Sequence, residues 1–175
     1  MLRALLALAL AGAMVVGCAA MRGGAGGASA TGNLEPTKGN ATRGKVTFTQ
    51  AGDKVRVVAR VSGLKPNAEH GFHVHEKGDC SSGDGMSTGG HFNPLGAAHG
   101  QHGMGQHHAG DLPSLKADAD GKASIDFTSS TIAVGTGPTD VVGKGLIVHR
   151  DPDDYKAQPT GNAGPRLACA VIAKG

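Results

Sequence analysis

The sequence predicts an all-β fold: a Greek-key sandwich or flattened barrel of about eight strands with two long functional loops. Short runs of alternating apolar and polar residues, rich in β-branched types, recur along the chain. Turns containing glycine separate several of these runs, and beyond the N-terminus no segment has the 3.6-residue period of a helix. Strands that follow one another without helices are typical of sandwiches and barrels.

The first 17 residues have the pattern of a secretory signal peptide. Arg3 gives a positive start, and the apolar run 4–16 is too short to span a bilayer permanently. The run leads into VVGC, where small residues precede Cys18 as in a bacterial lipoprotein cleavage site. We therefore expect Cys18 to become the lipidated first residue. A plain signal peptide with an incidental cysteine is the alternative.

Residues 18–32 are rich in glycine, alanine and serine, which predicts a flexible tether ahead of one domain spanning 33–175. The expected location is the periplasm or the cell surface, with a lipid anchor in a bacterial membrane. The net charge is only +3 and no block of lysine and arginine occurs, so the sequence does not indicate a nucleic-acid partner. A small anionic substrate is compatible with this charge.

From about Leu34 the pattern changes to short β-type runs. The segments predicted as strands are 45–50, 55–61, 70–75, 122–128, 145–149 and 167–173. The two long connections, about 76–110 and 150–165, have no regular pattern. Loops of that length in a compact domain are usually functional or disordered, and each begins beside a histidine, which favours function.

Eight of the nine histidines fall between His70 and His108, and the ninth, His149, ends a later apolar run. Histidine is the commonest metal-ligating side chain, so this crowding predicts a metal site, and the spacing suggests two. His73 and His75 project from one face of a strand, although two such residues could also be plain surface histidines. Three nitrogens with one carboxylate suit Zn²⁺, and four nitrogens in a tetragonal array suit Cu²⁺. The candidates in the following loop are His91, His99, His108 and Asp111.

Three cysteines are present. If Cys18 carries lipid, Cys80 and Cys169 remain, and an exported protein meets an environment oxidising enough for them to pair. Two free buried thiols are the alternative.

Six motifs in order, GFHVHE, GDC, GGHFNP, HHAGDLP, LIVH and GNAGPRLAC, resemble those of exported bacterial Cu/Zn superoxide dismutases. Each motif alone is weak, but together they extend from Gly71 to Cys169 and are very specific. The resemblance implies a Greek-key β-sandwich, one copper and one zinc per chain, and dismutation of superoxide to oxygen and hydrogen peroxide. It leaves a homodimer open.

The resemblance also implies the site residues. It makes His91 a bridge between the two metals and a source of protons, and Arg166 the cation that attracts the substrate anion. Asp153 corresponds to a carboxylate that links a copper ligand to a zinc ligand, and Cys80 and Cys169 correspond to the family's disulfide. The implied copper ligands are His73, His75, His91 and His149, and the implied zinc ligands are His91, His99, His108 and Asp111.

Several alternatives stay open. His102 and His107 are extra histidines, interpreted either as solvated residues or as a pair that captures metal transiently. His107 could in principle replace His108, although the three-residue spacing to Asp111 favours His108. His70 is interpreted as structural or exposed.

Two further points concern the region of Arg166 and the function. Pro165 departs from the family pattern and restricts Gly164. Arg166 could instead form a structural hydrogen bond that ties the 150–165 loop to the last strand. The alternative function is a non-enzymatic module of the same fold that stores or delivers copper, which the insert rich in histidine and methionine would support.

Overall fold

The structure is a computed structural model that describes residues 27–175, so the predicted signal peptide and most of the predicted tether lie outside the described residues. Within that range the backbone forms nine strands and one short 3-10 helix at Met86–Thr88. The strands are β1 (Ser29–Pro36), β2 (Arg43–Ala51), β3 (Lys54–Ser62), β4 (Glu69–His70), β5 (Phe72–His75), β6 (Leu115–Lys116), β7 (Ala123–Ser129), β8 (Gly145–His149) and β9 (Arg166–Lys174).

Seven of the strands form one antiparallel sheet in the order β5-β8-β9-β1-β2-β3-β7, and β4 pairs with β6 in a second, two-stranded sheet. The connection from β5 to β7 joins the two edge strands of the large sheet, and the connection from β3 to β5 starts from the strand next to β7. Buried residues from all seven strands, such as Phe48 of β2 and Phe72 of β5, belong to a single core. The sheet therefore wraps around this core as an incompletely closed barrel, and the predicted all-β fold is confirmed.

Strands β2 and β3 show why the sequence folds in this way. In β3, the side chains of Val55, Val57, Ala59 and Val61 point inward and are buried, and the intervening residues are exposed or half-buried. This period of two is that of a strand with one face on the core. The turn at Gly52, whose φ of 64° is in the left-handed region, brings β2 back along β3.

The predicted tether is wrong at its C-terminal end, because β1 begins at Ser29 and residues 29–32 belong to a strand. Ala30 and Gly32 are buried between β2 and β9. A Cβ atom on Gly32 would lie 3.0 Å from Leu146 Cδ2, so a larger residue would make the Leu146 side chain shift. Small residues that resembled a linker in composition are therefore packed inside the sheet here.

The predicted strand 70–75 is interrupted at Gly71, which separates β4 from β5. A Cβ atom on Gly71 would lie 2.7 Å from Ala163 Cβ, so glycine lets the 150–165 loop approach closely. The Gly71 N–H donates to the Asp151 carbonyl at 2.9 Å, and the His149 N–H donates to the Gly71 carbonyl at 2.8 Å. These bonds bring the second long loop against β5.

A disulfide joins Cys80 to Cys169, so the predicted pairing is confirmed. It fastens the 76–110 loop to β9, three residues beyond Arg166. In the described range, no helix is long and apolar enough to cross a membrane.

Candidate metal centre

Two groups of buried side chains meet where β5, the end of β8 and the 76–110 loop come together. Within each group the candidate ligand atoms all lie within 4.8 Å of one another. His91 belongs to both groups. The first group is His73, His75, His91 and His149, and the second group is His91, His99, His108 and Asp111.

Strand geometry aims the histidines of the first group. On β5, Phe72 and Val74 point into the core, so His73 and His75 share the opposite face, which the loops cover. β8 runs antiparallel beside β5, and its register with β9 shifts between Val148 and His149. Such an irregularity re-aims a side chain at the end of a strand. In this way His149 joins the β5 pair.

Hydrogen bonds determine which ring nitrogens of the first group are free. His75 Nδ1 lies 2.9 Å from the Gly89 carbonyl, and His149 Nδ1 lies 3.1 Å from the Gly164 carbonyl. Carbonyls only accept, so both Nδ1 atoms carry protons and both Nε2 atoms carry lone pairs. These two Nε2 atoms are 3.4 Å apart.

The remaining two nitrogens of the first group have no hydrogen-bond partner. They are His73 Nδ1 and His91 Nε2, and both are buried. Burying a polar atom without a partner is costly unless a ligand satisfies it. Four nitrogens that can donate a lone pair therefore converge, a donor set that suits copper.

In the second group, three ring nitrogens surround one carboxylate. His91 Nδ1 and His108 Nδ1 lie 2.9 and 3.3 Å from Asp111 Oδ1, and His99 Nδ1 lies 3.1 Å from Asp111 Oδ2. The Asp111 N–H donates to the His108 carbonyl at 3.1 Å, which closes the turn that places both residues. Three nitrogens and one carboxylate are a donor set for tetrahedral zinc.

Asp153 connects the two groups from behind. Its Oδ2 is 3.0 Å from His73 Nε2, and its Oδ1 is 3.1 Å from His99 Nε2. Asp153 is buried, whereas Asp154 is exposed. A Cβ atom on Gly161, at φ 70°, would overlap Asp153 Oδ1, so the 150–165 loop wraps closely around this carboxylate.

Burial keeps three histidines of the first group neutral. It lowers the pKa of His75 well below its ordinary value, the pKa of His91 to about 4, and the pKa of His149 to about 3. Neutral imidazole is the form that binds a metal. The ring of His91 therefore has a lone pair available near neutral pH.

The second group contains an ionised carboxylate, Asp111. Burial opposes the ionisation of Asp111, but hydrogen bonds from His108 and His91 hold its pKa below the ordinary range. Burial also opposes a charge on His99, yet hydrogen bonds to Asp111 and Asp153 raise its pKa to about 9. The charge of Asp111 is thus balanced by a proton on His99, which a bound cation would replace.

A cleft of about 230 Å³ leads to the first group, and its lining includes His75, His91, His149 and Arg166. Arg166 donates through Nη1 to Thr88 Oγ1 at 2.8 Å and to the Gly85 carbonyl, and through Nη2 to the Gly89 carbonyl at 2.7 Å. These side-chain hydrogen bonds hold the 76–110 loop. The alternative in which Arg166 ties the 150–165 loop to the last strand named a different loop. Two of the five N–H groups of Arg166 have no acceptor among the described residues.

The extra histidines lie apart from both groups. His107 does not take the place of His108, because its Nδ1 faces the His108 carbonyl at 2.7 Å. His70 is fully buried, with Nδ1 2.9 Å from the His149 carbonyl.

Gly164, ahead of Pro165, adopts a φ of 75°, where a Cβ atom would overlap the Asp151 carboxylate.

Sequence reasoning missed the carbonyls of Gly89 and Gly164, which orient His75 and His149. Every residue has a carbonyl, so no residue type indicates this role. Both residues are glycines with a positive φ, so a glycine in these motifs is the sequence feature that could have indicated a turn there.

A family model described as copper/zinc superoxide dismutase (SODC) matches residues 42–172. The chain belongs to the copper/zinc superoxide dismutase family. It is 43% identical over 136 residues to the "Superoxide dismutase [Cu-Zn]" of Paramecium bursaria Chlorella virus 1, an alignment that covers 74% of this chain and 72% of the viral protein. It is also similar to the crystal structure of the clock protein EA4, with a TM-score of 0.76 and 41% identity over 83% of this chain and 93% of that one.

Copper and zinc are the metals of this superoxide dismutase family, and the two groups have the donors that each metal prefers. The predicted copper/zinc superoxide dismutase family, the superoxide dismutase activity and the pair of metals are therefore confirmed, and the exported bacterial type stays a prediction.

Proposed function

We propose that this superoxide dismutase works at a copper held by the first group, with zinc in the second group and His91 as the bridge between them. The observation that carries this assignment is the position of the His91 ring. Its Nε2 faces the first group without a protein partner, and its Nδ1 faces the Asp111 carboxylate at 2.9 Å. When bound, copper supplies the one-electron oxidation and reduction that dismutation requires, and zinc has no redox chemistry.

The protein's own groups have three tasks in this proposal. Arg166 attracts the superoxide anion into the cleft, where two free N–H groups can bind it. His91 Nε2, which has no protein partner, would alternate between holding copper and holding the proton that the product takes up. Asp153 fixes the orientations of His73 and His99 through its two oxygens. Two protons and two superoxide ions then give one oxygen and one hydrogen peroxide.

The test is superoxide removal by the purified protein loaded with copper and zinc, with and without cyanide. We expect activity that cyanide abolishes. His149→Ala should lose copper and activity, whereas Asp111→Ala should lose zinc preferentially, as counted by elemental analysis. A protein that binds both metals but leaves superoxide untouched would instead favour the copper-storing module.

We also propose that the chain is a bacterial lipoprotein, anchored through Cys18 in the periplasm or at the cell surface. The signal pattern of residues 1–17 and the small residues before Cys18 support this assignment. Ten residues separate Cys18 from Ser29, where β1 begins. Fully extended, they could reach roughly 35 Å, enough to hold the domain clear of the lipid surface. The Cys18 labelling experiment that tests this proposal is described in the Discussion.

A further inference from the structure

His102 and His107 belong to neither metal group, yet their rings face each other. The ring centroids are 5.1 Å apart and the planes are tilted by 54°. Both residues are half-buried and can be reached from solvent. They flank one turn of the 76–110 loop, in which the Met104 N–H donates to the Gln101 carbonyl at 3.0 Å.

Both rings are fastened through the same nitrogen. His102 Nδ1 lies 3.0 Å from the Asp111 carbonyl, and His107 Nδ1 lies 2.7 Å from the His108 carbonyl. A carbonyl can only accept, so both Nδ1 atoms are protonated and both Nε2 atoms carry lone pairs. The Gly103 N–H donates to His107 Nε2 at 3.3 Å, which requires a lone pair there, and an ion bound at Nε2 would replace this long hydrogen bond.

The same arrangement prepares His75 and His149 in the first metal group. There too, Nδ1 donates to a backbone carbonyl and Nε2 is left as the donor atom. The centroids of those two rings are 5.6 Å apart, close to the 5.1 Å between His102 and His107. Metal-binding histidines commonly donate the second ring N–H to a carbonyl, which fixes the tautomer and orients the ring.

We propose that His102 and His107 form a third metal site, which binds Cu²⁺, and Zn²⁺ more weakly, through the two Nε2 atoms. The order of the two ions follows from the general preference of nitrogen sites for Cu²⁺. Water completes the coordination, so the site binds more weakly than the buried groups and exchanges its ion. Met104, 64% exposed in the same turn, has a soft thioether of the kind that suits Cu⁺.

The site is connected to the second group through the backbone. The two carbonyls that orient His102 and His107 belong to Asp111 and His108, both members of that group. An ion bound at the third site therefore lies on the outer side of the turn that carries the second group.

The experiment uses the intact protein with copper and zinc already bound. Equilibrium dialysis against increasing Cu²⁺ should add one copper per chain beyond the first pair of ions, counted by elemental analysis. His102→Gln and His107→Gln should each raise the dissociation constant of that extra copper at least about tenfold, the lower end of what even an outer contact contributes to a metal site. Gln106→Asn, in the same turn, leaves both imidazoles in place and should bind like the wild type.

A wild type that takes up no more Cu²⁺ than the His102→Gln/His107→Gln double variant would overturn the proposal. If either substitution also releases zinc from the second group, the test is made on the wild-type protein instead. Nitrogen-15 NMR of its histidine rings should then show the Nε2 signals of His102 and His107 shifting as Zn²⁺ is added. Unchanged signals would mean that the pair only caps the loop.

Discussion

Arg166 lines the cleft and uses three of its five hydrogen-bond donors within the fold. Three donors hold the carbonyls of Gly85 and Gly89 and the hydroxyl of Thr88, and two remain free. The Gly89 carbonyl oxygen also accepts from His75 Nδ1, so Arg166 and a histidine of the first group share one acceptor. Hydrogen bonds to charged groups are worth about 1.5–3 kcal/mol each, whereas a cation in a narrow cleft raises encounter rates roughly 10- to 1,000-fold. The two contributions can be separated experimentally.

Arg166→Ala should lower kcat/KM for superoxide about tenfold or more while copper and zinc stay bound, because the guiding charge is lost. Arg166→Lys should recover part of the loss. Raising ionic strength should slow the wild type more than the alanine variant, since salt screens the field. Thr88→Val removes one loop contact but keeps the charge, so it should retain the salt dependence. Unchanged activity in the alanine variant, or a loss matched by missing copper, would exclude Arg166 from the site.

The buried histidines predict how the metal-free protein responds to acid. The pKa values of His91 and His149 are about 4 and 3 in the fold, against an ordinary value of 6.5. Between those values the unfolded chain binds more protons, so the free energy of unfolding falls as pH drops below 6.5. Each pKa unit is worth about 1.4 kcal/mol, which makes the combined effect several kcal/mol.

After metal removal by a chelator, the urea midpoint should therefore decrease between pH 6.5 and 4.5, a window above the titration of unfolded carboxylates. His99 acts in the opposite direction: its pKa is raised to about 9, so its stabilisation is lost as pH rises from 6.5 through 9. Metal-loaded protein should vary less, because its ligands are already deprotonated. A midpoint that is constant from pH 6.5 to 4.5 would contradict the burial of neutral rings.

At the scale of elements, the strands that alternate in sequence were predictable, and those shaped by contacts were not. β8 was predicted with its observed bounds, and β3 within one residue at each end. β1 could not be distinguished from a linker, because composition does not show that its small residues pair with β2 and β9 and pack near Leu146. β6 has two residues and exists only through pairing with β4, which no local pattern encodes.

The candidate site was predictable for a different reason. The chemistry of a metal centre resides in side chains, and histidines with one aspartate in a fixed order identify it within a known family. Spacing also placed His73 and His75 on one face, since a strand has a period of two. The carbonyl partners of these rings depend on how two irregular loops fold over β5, and the sequence does not specify that.

The 150–165 loop supplies Asp153, and through this carboxylate the loop contacts both metal groups. In the wild type, one carboxylate oxygen of Asp153 accepts from His73 and the other accepts from His99, which orients both rings. Asp153→Asn should therefore weaken zinc and copper binding about 10- to 100-fold. Competition with a chelator of known affinity would measure the change. Asp154→Asn, at the exposed neighbouring position, is the matched control and should bind both metals normally. Equal affinity in the two variants would mean that Asp153 has no positioning role.

At the scale of the molecule, the barrel, the two loops and the disulfide together leave one cleft open to the first group. The Cys80–Cys169 disulfide fastens the 76–110 loop beside Arg166. Gly71 has no side chain, which lets the 150–165 loop pack against β5. The bond closes a loop of 89 residues, which the chain-entropy model values at about 4–5 kcal/mol, a considerable part of the stability of a domain. Such a bond is expected to persist in an oxidising compartment, in agreement with the proposed export.

Anchoring through Cys18 is the proposal that sets where the whole molecule works. Superoxide crosses membranes poorly because it is charged, so an exported enzyme meets superoxide that arises outside the cytoplasm. Cys18→Ser should leave a precursor that takes up no labelled fatty acid in a bacterial host that processes lipoproteins. Cys80→Ser keeps the lipoprotein pattern and should be labelled like the wild type, which separates lipidation from a general effect of losing a cysteine. Normal labelling of the Cys18→Ser protein would contradict the anchor, whereas loss of label from that variant alone would place the acyl chain at Cys18, which ten residues separate from β1.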